Sequence, residues 1–472
     1  MKGQKILFLQ QHPFPYFGIM SISGVLTRHN FQTEVLIGLL EKDILRKIEE
    51  ISPDIIGFSI MSSDESWLRN LSGQIKKKMD VSIVAGGVHA SSCPEIIEDP
   101  NIDYVIIGEG EYVFLRFVTE FFKGNKTPVI DGVITKFTGK ESYYNAGKLI
   151  DVLDELPFED RDIYYRRYSG LRNTPLKQFI SGRGCPFDCN FCFNSFYKTL
   201  FKGKGEYVRR KSPGYFVEEI KRVREKYNLK SLFFADDLFT LDLKWLSEFC
   251  EIYTREIGLS FMCAATANLV TENVAEVLKK AGCNCISFGI ETGSEEKRRK
   301  ILNKNISNDE IRKCAGILKK YGIKIQTSNI FAFPGETVDD AFETIRLNSE
   351  IKTDYMFSTL MMPLPKTGLE KMAREQNILP DNYDYTQMPV SFHSKSIFDF
   401  KDIRILENIH KISYIAMKFP RYEKFFRWLA RKNWGKLFFL LFAVSFIYRY
   451  KAERKMSFLG VLGLFWDFRK SY

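Results

Sequence analysis

The chain has 472 residues, 45% of them hydrophobic and 27% charged, a balance that excludes a disordered or collagen-like polypeptide and suits two or three domains of about 100–200 residues each. The net charge of +11 is unevenly spread. Residues 401–472 hold 16 Lys and Arg against 5 Asp and Glu, whereas the other 400 residues balance at 53 of each. A nucleic-acid enzyme basic throughout its body is thereby excluded.

In chain order, Lys5–Leu9 is a short apolar run without the longer apolar region and small-residue cleavage site of a signal peptide. It predicts a first buried strand, with the cytoplasm as the default location. Further strands are predicted at Glu34–Ile37, Asp54–Ile60, Ser82–Ala85 and Tyr104–Ile107, with helical patterns such as Lys42–Ile51 and Trp67–Met79 between them. Five strands alternating with helices over residues 1–125 predict a doubly wound parallel sheet. Ligands of such sheets bind outside the strand carboxyl ends, where Gly86-Gly87-Val88-His89 and Gly108-Glu109-Gly110-Glu111 fall. Residues 126–175 read as a connector with a hairpin over Val129–Phe137. Residues 176–370 show a second β/α alternation, with strands at Lys177–Ser181, Ser231–Ala235, Ser260–Ala264, Cys285–Gly289, Lys324–Phe331 and Met356–Met361. Six β/α units predict a partial (β/α)6 barrel, shorter than the eight-unit closed form. Residues 371–472 lose the strand pattern and read as a helical, basic, aromatic-rich C-terminal region.

Nine cysteines in a large chain without a secretory signal point to metal or thiol chemistry rather than a disulfide scaffold. Three of them, Cys185, Cys189 and Cys192, are spaced C-x3-C-x2-C on a loop straight after the first strand of the second alternation. A structural zinc site wants four protein ligands, and no His or Cys follows within twenty residues to supply the fourth. Three thiolates on a short loop suit a cubane iron–sulfur cluster with one iron left open.

This motif, with an aromatic residue before its last cysteine, resembles the radical S-adenosylmethionine (SAM) superfamily. The resemblance implies that Cys185, Cys189 and Cys192 bind a [4Fe–4S] cluster whose open iron is chelated by SAM, with Phe191 near the adenine. Phe234-Ala235-Asp236-Asp237 falls where the family contacts the methionine end of SAM; Asp236 and Asp237 could divide that role with a helix N-cap. Glu291, in Gly289-Ile290-Glu291-Thr292-Gly293-Ser294, resembles the carboxylate that contacts the SAM ribose or amino group. Ser328 and Ala332 stand where the family often has Gly on the fifth strand, and Ala332 leaves less room there.

The preceding doubly wound domain extends the resemblance to the cobalamin-binding radical SAM class. Its flavodoxin-type sheet places Ser59, Ser62, Ser63, Gly86, Gly87, His89, Glu109 and Gly110 at the strand ends, and the resemblance implies cobalamin contacts there. His12 lacks the Asp two residues before and the Gly three after that mark a cobalt-ligating histidine in cobalamin proteins.

The resemblance predicts reductive cleavage of SAM, hydrogen abstraction and methylation of an unactivated carbon from methylcobalamin. Oxidative cyclisation or rearrangement on the same fold is the alternative. Readings from other classes are a non-enzymatic cobalamin or metal sensor and a zinc-structured membrane adaptor. The expected partners are a small-molecule or lipid substrate and a one-electron reductant of the flavodoxin or ferredoxin type. No general acid or base is assigned. For residues 401–472 two readings stand side by side: an interfacial segment at lipid headgroups, which would place the protein at the inner face of the membrane, and a helical cap packed on the barrel. Nucleic acid fits less well.

Overall fold

The structure is a computed structural model and describes residues 4–454. The chain divides into two compact units. The first comprises residues up to 174 together with 193–210 and 384–390; the second comprises 175–192, 211–383 and the residues from 391 on.

The first unit is built on a six-stranded sheet. Its strands are β1 (Lys5–Gln10), β2 (Gln32–Ile37), β3 (Ile55–Ser59), β4 (Ser82–Gly86), β5 (Tyr104–Ile106) and β6 (Val133–Thr135), in the order β2-β1-β3-β4-β5-β6. The first five are parallel, in the flavodoxin-type order. Strand β1 reads Lys-Ile-Leu-Phe-Leu-Gln and is buried almost throughout, as a strand covered on both faces must be. The intervening helices are α1 (Phe17–Arg28), α2 (Ile44–Ile51), α3 (Glu65–Lys78), α4 (Val88–Ser92) and α5 (Gly110–Phe122). The predicted hairpin at 129–137 is instead a single strand, β6, antiparallel to β5 at the sheet edge. The connector also packs on this unit. Fully buried Tyr164 receives a 3.2 Å hydrogen bond from the Tyr16 backbone and reaches the Gln10 side chain, while the Tyr168 hydroxyl accepts from Ile37 N at 2.8 Å.

The second unit carries an open six-stranded parallel sheet in which each strand pairs with its neighbour in sequence. The strands are β7 (Leu176–Phe179), β8 (Ser231–Phe234), β9 (Ser260–Ala265), β10 (Cys283–Glu291), β11 (Lys324–Phe331) and β12 (Tyr355–Leu360). This is the sheet of a partial barrel. Helices α6 (Pro213–Lys226), α7 (Leu243–Glu256), α8 (Glu272–Lys280), α9 (Glu295–Lys300), α10 (Asn308–Lys320) and α11 (Val338–Glu350) connect them. An aromatic core fills the β8–β9 side: Phe234 stacks on Phe239 with centroids 4.5 Å apart, and Trp245 stacks on Phe249 at 5.2 Å.

Helices α12 (Gly368–Glu375), α13 (Ile403–Lys418), α14 (Glu423–Ala430) and α15 (Gly435–Arg454) follow. Buried Leu406, Ile409 and Ile412 of α13, with Phe426 and Leu429 of α14 and Phe438 of α15, share one cluster with Phe342 and Ile345 of α11. The inner side of the tail is therefore a cap on this unit. No helix among the described residues is long and apolar enough to cross a membrane.

Candidate functional site

The three cysteines lie on the loop after β7, each half-buried and in no disulfide. The residue straight after the second of them fixes the loop. Asn190 donates from its backbone to Leu302 O (3.0 Å) and from its side chain to Ile301 O (2.8 Å), and its own carbonyl accepts from Leu369 N (2.9 Å). Asn303 returns a bond to Asp188 O at 2.7 Å. A Cβ on Gly368 would lie 2.8 Å from Asn190 Oδ1, so only glycine lets α12 begin this close to the loop. Phe191 turns into an apolar cluster with Leu302, Ile330 and Phe333, beside β11.

Burial pushes the Cys189 thiol up to about 12, partly opposed by the nearby Lys304 cation. Among the described residues no three Cys, His, Asp or Glu side chains converge as the ligands of a single ion must. Three thiols of one short loop are nevertheless the donor set of a cubane, in which each thiolate takes a different iron and the sulfurs stand farther apart. Coordination would deprotonate them.

At the end of β10, Glu291 has φ of +64°, and its Oε1 lies 2.8 Å from Lys304 Nζ, with both side chains largely buried. The carboxylate folds back over Gly289, where a Cβ would sit 1.8 Å from Oε1. Beneath this turn lies Arg298 of α9, wholly buried. It donates to Ile290 O (3.0 Å), Thr292 O (2.5 Å), Ile306 O (2.7 Å) and Asn308 Oδ1 (2.7 Å), bracketing Glu291 from both sides. Burial lowers its guanidinium to about 10.

The stacked Phe234 and Phe239 pin the ends of the loop that carries the two aspartates. Asp236 is buried and accepts from Ser181 N (3.1 Å) and Ser181 Oγ (2.5 Å), tying β8 to the end of β7. Asp237 is exposed. Neither caps a helix: α7 starts later, capped by Asp242 through Lys244 N and Trp245 N, so the expected N-cap role is not theirs. Ser328 is half-buried on β11. Ala332 is buried with φ of +61°, the left-handed region that favours glycine. Its N–H donates to the Glu336 carboxyl, which burial raises well above the carboxylate range.

In the first unit the other candidates gather at the carboxyl ends of β3, β4 and β5. Ser59 ends β3, and Ser62 and Ser63 form the turn after it. Gly86 ends β4, and Gly87 has φ of +96°, with space for a Cβ closed by Ile60 O at 2.8 Å. His89 is fully buried between Ser62 Oγ (3.2 Å from Nδ1) and Glu65 Oε2 (3.1 Å from Nε2). Burial would raise Glu65, but the His89 ring and Arg69 outweigh it and hold the carboxyl low. The Tyr385 ring meets His89 edge-on, with centroids 5.6 Å apart. Glu109 is bound by Arg209 (2.7 Å) and receives Ile150 N (2.9 Å), so this carboxylate holds the 193–210 segment. Gly110 opens α5, where a Cβ would meet Ile22 at 2.8 Å. His12 does have an aspartate partner, supplied from another loop: Asp64 Oδ1 lies 2.9 Å from its Nε2.

Lys304, Asn190 and Asp64 escaped sequence reasoning because their partners are distant in the chain, and Arg298 because nothing in its run of charged neighbours marks it as the one that turns inward.

The comparisons agree with this architecture. Residues 179–347 match the radical SAM superfamily model and residues 11–118 match the B12 binding domain model. An uncharacterized methyltransferase of Pyrococcus horikoshii is 29% identical over 375 residues, covering 77% of this chain and 80% of that protein. The anaerobic magnesium-protoporphyrin IX monomethyl ester cyclase of Rubrivivax gelatinosus is 25% identical over 357 residues, covering 70% and 60%. The cobalamin-dependent S-adenosylmethionine radical enzyme OxsB, solved with aqua-cobalamin and S-adenosylmethionine bound, has a TM-score of 0.67 at 16% identity, covering 99% of this chain and 76% of that one. The chain thus carries a B12-binding domain followed by a radical SAM domain, the domain order of the cobalamin-binding radical SAM class.

Proposed function

We propose that this chain is a cobalamin-dependent radical SAM methyltransferase acting on an unactivated carbon. The observation that carries the reading is the three-cysteine loop, locked by Asn190 at the end of a parallel sheet whose next motifs, Glu291 and Ala332, turn at strand ends in left-handed conformations. The match to a methyltransferase of Pyrococcus horikoshii supports the reaction class.

Cys185, Cys189 and Cys192 would hold a [4Fe–4S] cluster, and the strand-end residues of the first unit would hold cobalamin. When bound, these groups supply one-electron cleavage of SAM to a 5′-deoxyadenosyl radical and a methyl group for transfer. The chain's own residues orient and exclude water. Glu291 offers an acceptor for the SAM ribose or amino group, with Lys304 positioning its carboxylate at 2.8 Å. Phe191, against Ile330 and Phe333, offers an apolar wall for adenine. Asp236 acts through Ser181, which leaves exposed Asp237 as the carboxylate for the methionine end. Ser59, Ser62, Ser63, Gly86, Gly87 and Gly110 offer hydroxyls and close backbone approach to a large flat ligand. His89 and Glu109 shape those loops through their own protein partners. A flavodoxin or ferredoxin would supply the electron, and the apolar tail favours a lipid or other hydrophobic substrate.

The second reading, oxidative cyclisation, rests on the match to the magnesium-protoporphyrin ester cyclase. Anaerobic turnover with deuteromethyl-SAM separates them. Methylation yields S-adenosylhomocysteine and 5′-deoxyadenosine together, with a labelled product. Cyclisation yields 5′-deoxyadenosine without S-adenosylhomocysteine, and would overturn the methyltransferase reading.

A further inference from the structure

Ten of the eighteen exposed large apolar side chains among the described residues lie between 419 and 448. That concentration is not a by-product of poor packing. Helix α14 buries Phe426 and Leu429 inward and turns Phe425 and Trp428, each about half exposed, outward. Helix α15 repeats the arrangement with apolar residues on both sides. Phe438 and Phe442 are buried, whereas Leu437, Leu440, Val444 and Tyr448, spaced three and four apart, form an exposed stripe. A helix apolar all round normally lies inside a protein or a lipid phase. The two outward faces are joined by aromatic contacts: Phe425 lies 5.9 Å from Trp428, and Trp428 lies 6.1 Å from Trp434.

The charge around this patch has one sign. Residues 418–448 contain seven Lys and Arg and a single acid, Glu423. Glu423 is already taken by Arg346 and Arg427 on the barrel side. Arg421, Lys424, Lys432 and Lys436 make no ion pair among the described residues. Lys432 lies over the Trp428 ring at 4.4 Å and Arg421 over Tyr422 at 5.0 Å, so cations and indole or phenol rings share one surface. Amphipathic rings with uncompensated cations beside them suit the headgroup layer of an anionic bilayer, where the rings enter the acyl boundary and the cations stay with phosphate. No described helix can span, so the contact is with one leaflet.

We propose that the outer face of α14 and α15 is a docking surface for an anionic membrane, with Phe425, Trp428, Trp434 and Leu440 entering the interface and Lys424 and Lys432 pairing with lipid phosphate. The inner face meanwhile stays packed as a cap, so both readings of the tail apply, one to each side. This inference does not depend on the proposed chemistry.

The test uses the full chain and sedimentation with vesicles of phosphatidylcholine alone or of equal parts phosphatidylcholine and phosphatidylglycerol. The expected result is binding to the anionic vesicles only, weakened by salt. Both the double variant Phe425→Ser/Trp428→Ser and the double variant Lys424→Glu/Lys432→Glu should weaken it about tenfold or more. Lys424, Phe425 and Trp428 are exposed and Lys432 is only half-buried, so the melting temperature should hold, and variants that keep it give a valid reading. No sedimentation of the wild type with anionic vesicles, or unchanged binding by both variants, overturns the proposal. So does a dimer in light scattering that Phe425→Ser/Trp428→Ser dissociates, which assigns the patch to a second copy of the chain.

Discussion

The Lys304 ammonium lies 2.8 Å from the Glu291 carboxylate, at the point where β10 leaves the sheet with a left-handed residue. The pair is largely buried, so removing one member strands the other's charge in a poorly solvated place, at a cost of about 3–5 kcal/mol. Lys304→Met should therefore unfold at clearly lower urea than wild type and weaken SAM binding in equilibrium dialysis. Gly289→Ala probes the same feature without changing any charge. Its Cβ would occupy the carboxylate's place, so iron content should persist while SAM binding falls. Retained SAM affinity in both variants would remove Glu291 from the site.

Arg298 is the largest fully buried side chain, and its guanidinium serves three carbonyls and one side-chain amide. Arg298→Met leaves those acceptors without donors and should cost about 3 kcal/mol or more in denaturant unfolding. Arg298→Lys should recover only part of this, because an ammonium cannot copy the planar fork. Full recovery by lysine would mean that charge alone matters there.

Ala332 holds a conformation that glycine adopts without strain. Ala332→Gly should raise unfolding stability by about 1 kcal/mol, measured by chemical denaturation. A loss of stability would show that the Cβ packing there outweighs the backbone strain.

These residues mark the boundary of what sequence reveals. The strands were legible because a parallel sheet covered on both faces demands continuous apolar runs, and all eleven predicted strands fall on observed ones within a few residues. The cysteine loop was legible because its spacing is local. Arg298 was not, since it stands in the run Glu295-Glu296-Lys297-Arg298-Arg299-Lys300 and nothing local says which member turns inward. Asp64 as the partner of His12, Tyr385 against His89 and Arg209 on Glu109 are tertiary pairings with no spacing to read. The 129–137 hairpin failed for a related reason: β6 pairs back to β5 rather than to a local partner.

His410 on α13 is buried, with its Nε2 3.1 Å from Ser358 O and its ring stacked 5.5 Å from that of His393. Burial lowers it from an ordinary 6.5 to about 3, with Lys411 and Arg449 adding to the shift. His393 is lowered too, by burial and then by His410 and Arg449. Between those values the unfolded chain binds a proton that the folded chain refuses, so stability rises with pH across that window and falls on acidification below about 6.5. The slope is about 1.4 kcal/mol per pH unit for each imidazole. Melting curves between pH 7 and pH 4 should show this loss, and His410→Phe should flatten it. An unchanged slope in that variant would contradict the assignment.

In the proposed function, Cys185, Cys189 and Cys192 hold an iron–sulfur cluster that cleaves SAM. Anaerobic reconstitution with iron and sulfide, followed by SAM and dithionite, tests it in one measurement, the 5′-deoxyadenosine released alongside bound iron. The expected result is about four irons per chain and release of the nucleoside by the wild type, with both lost in Cys185→Ala. Bound zinc in place of iron, or equal nucleoside release by the wild type and Cys185→Ala, would contradict it.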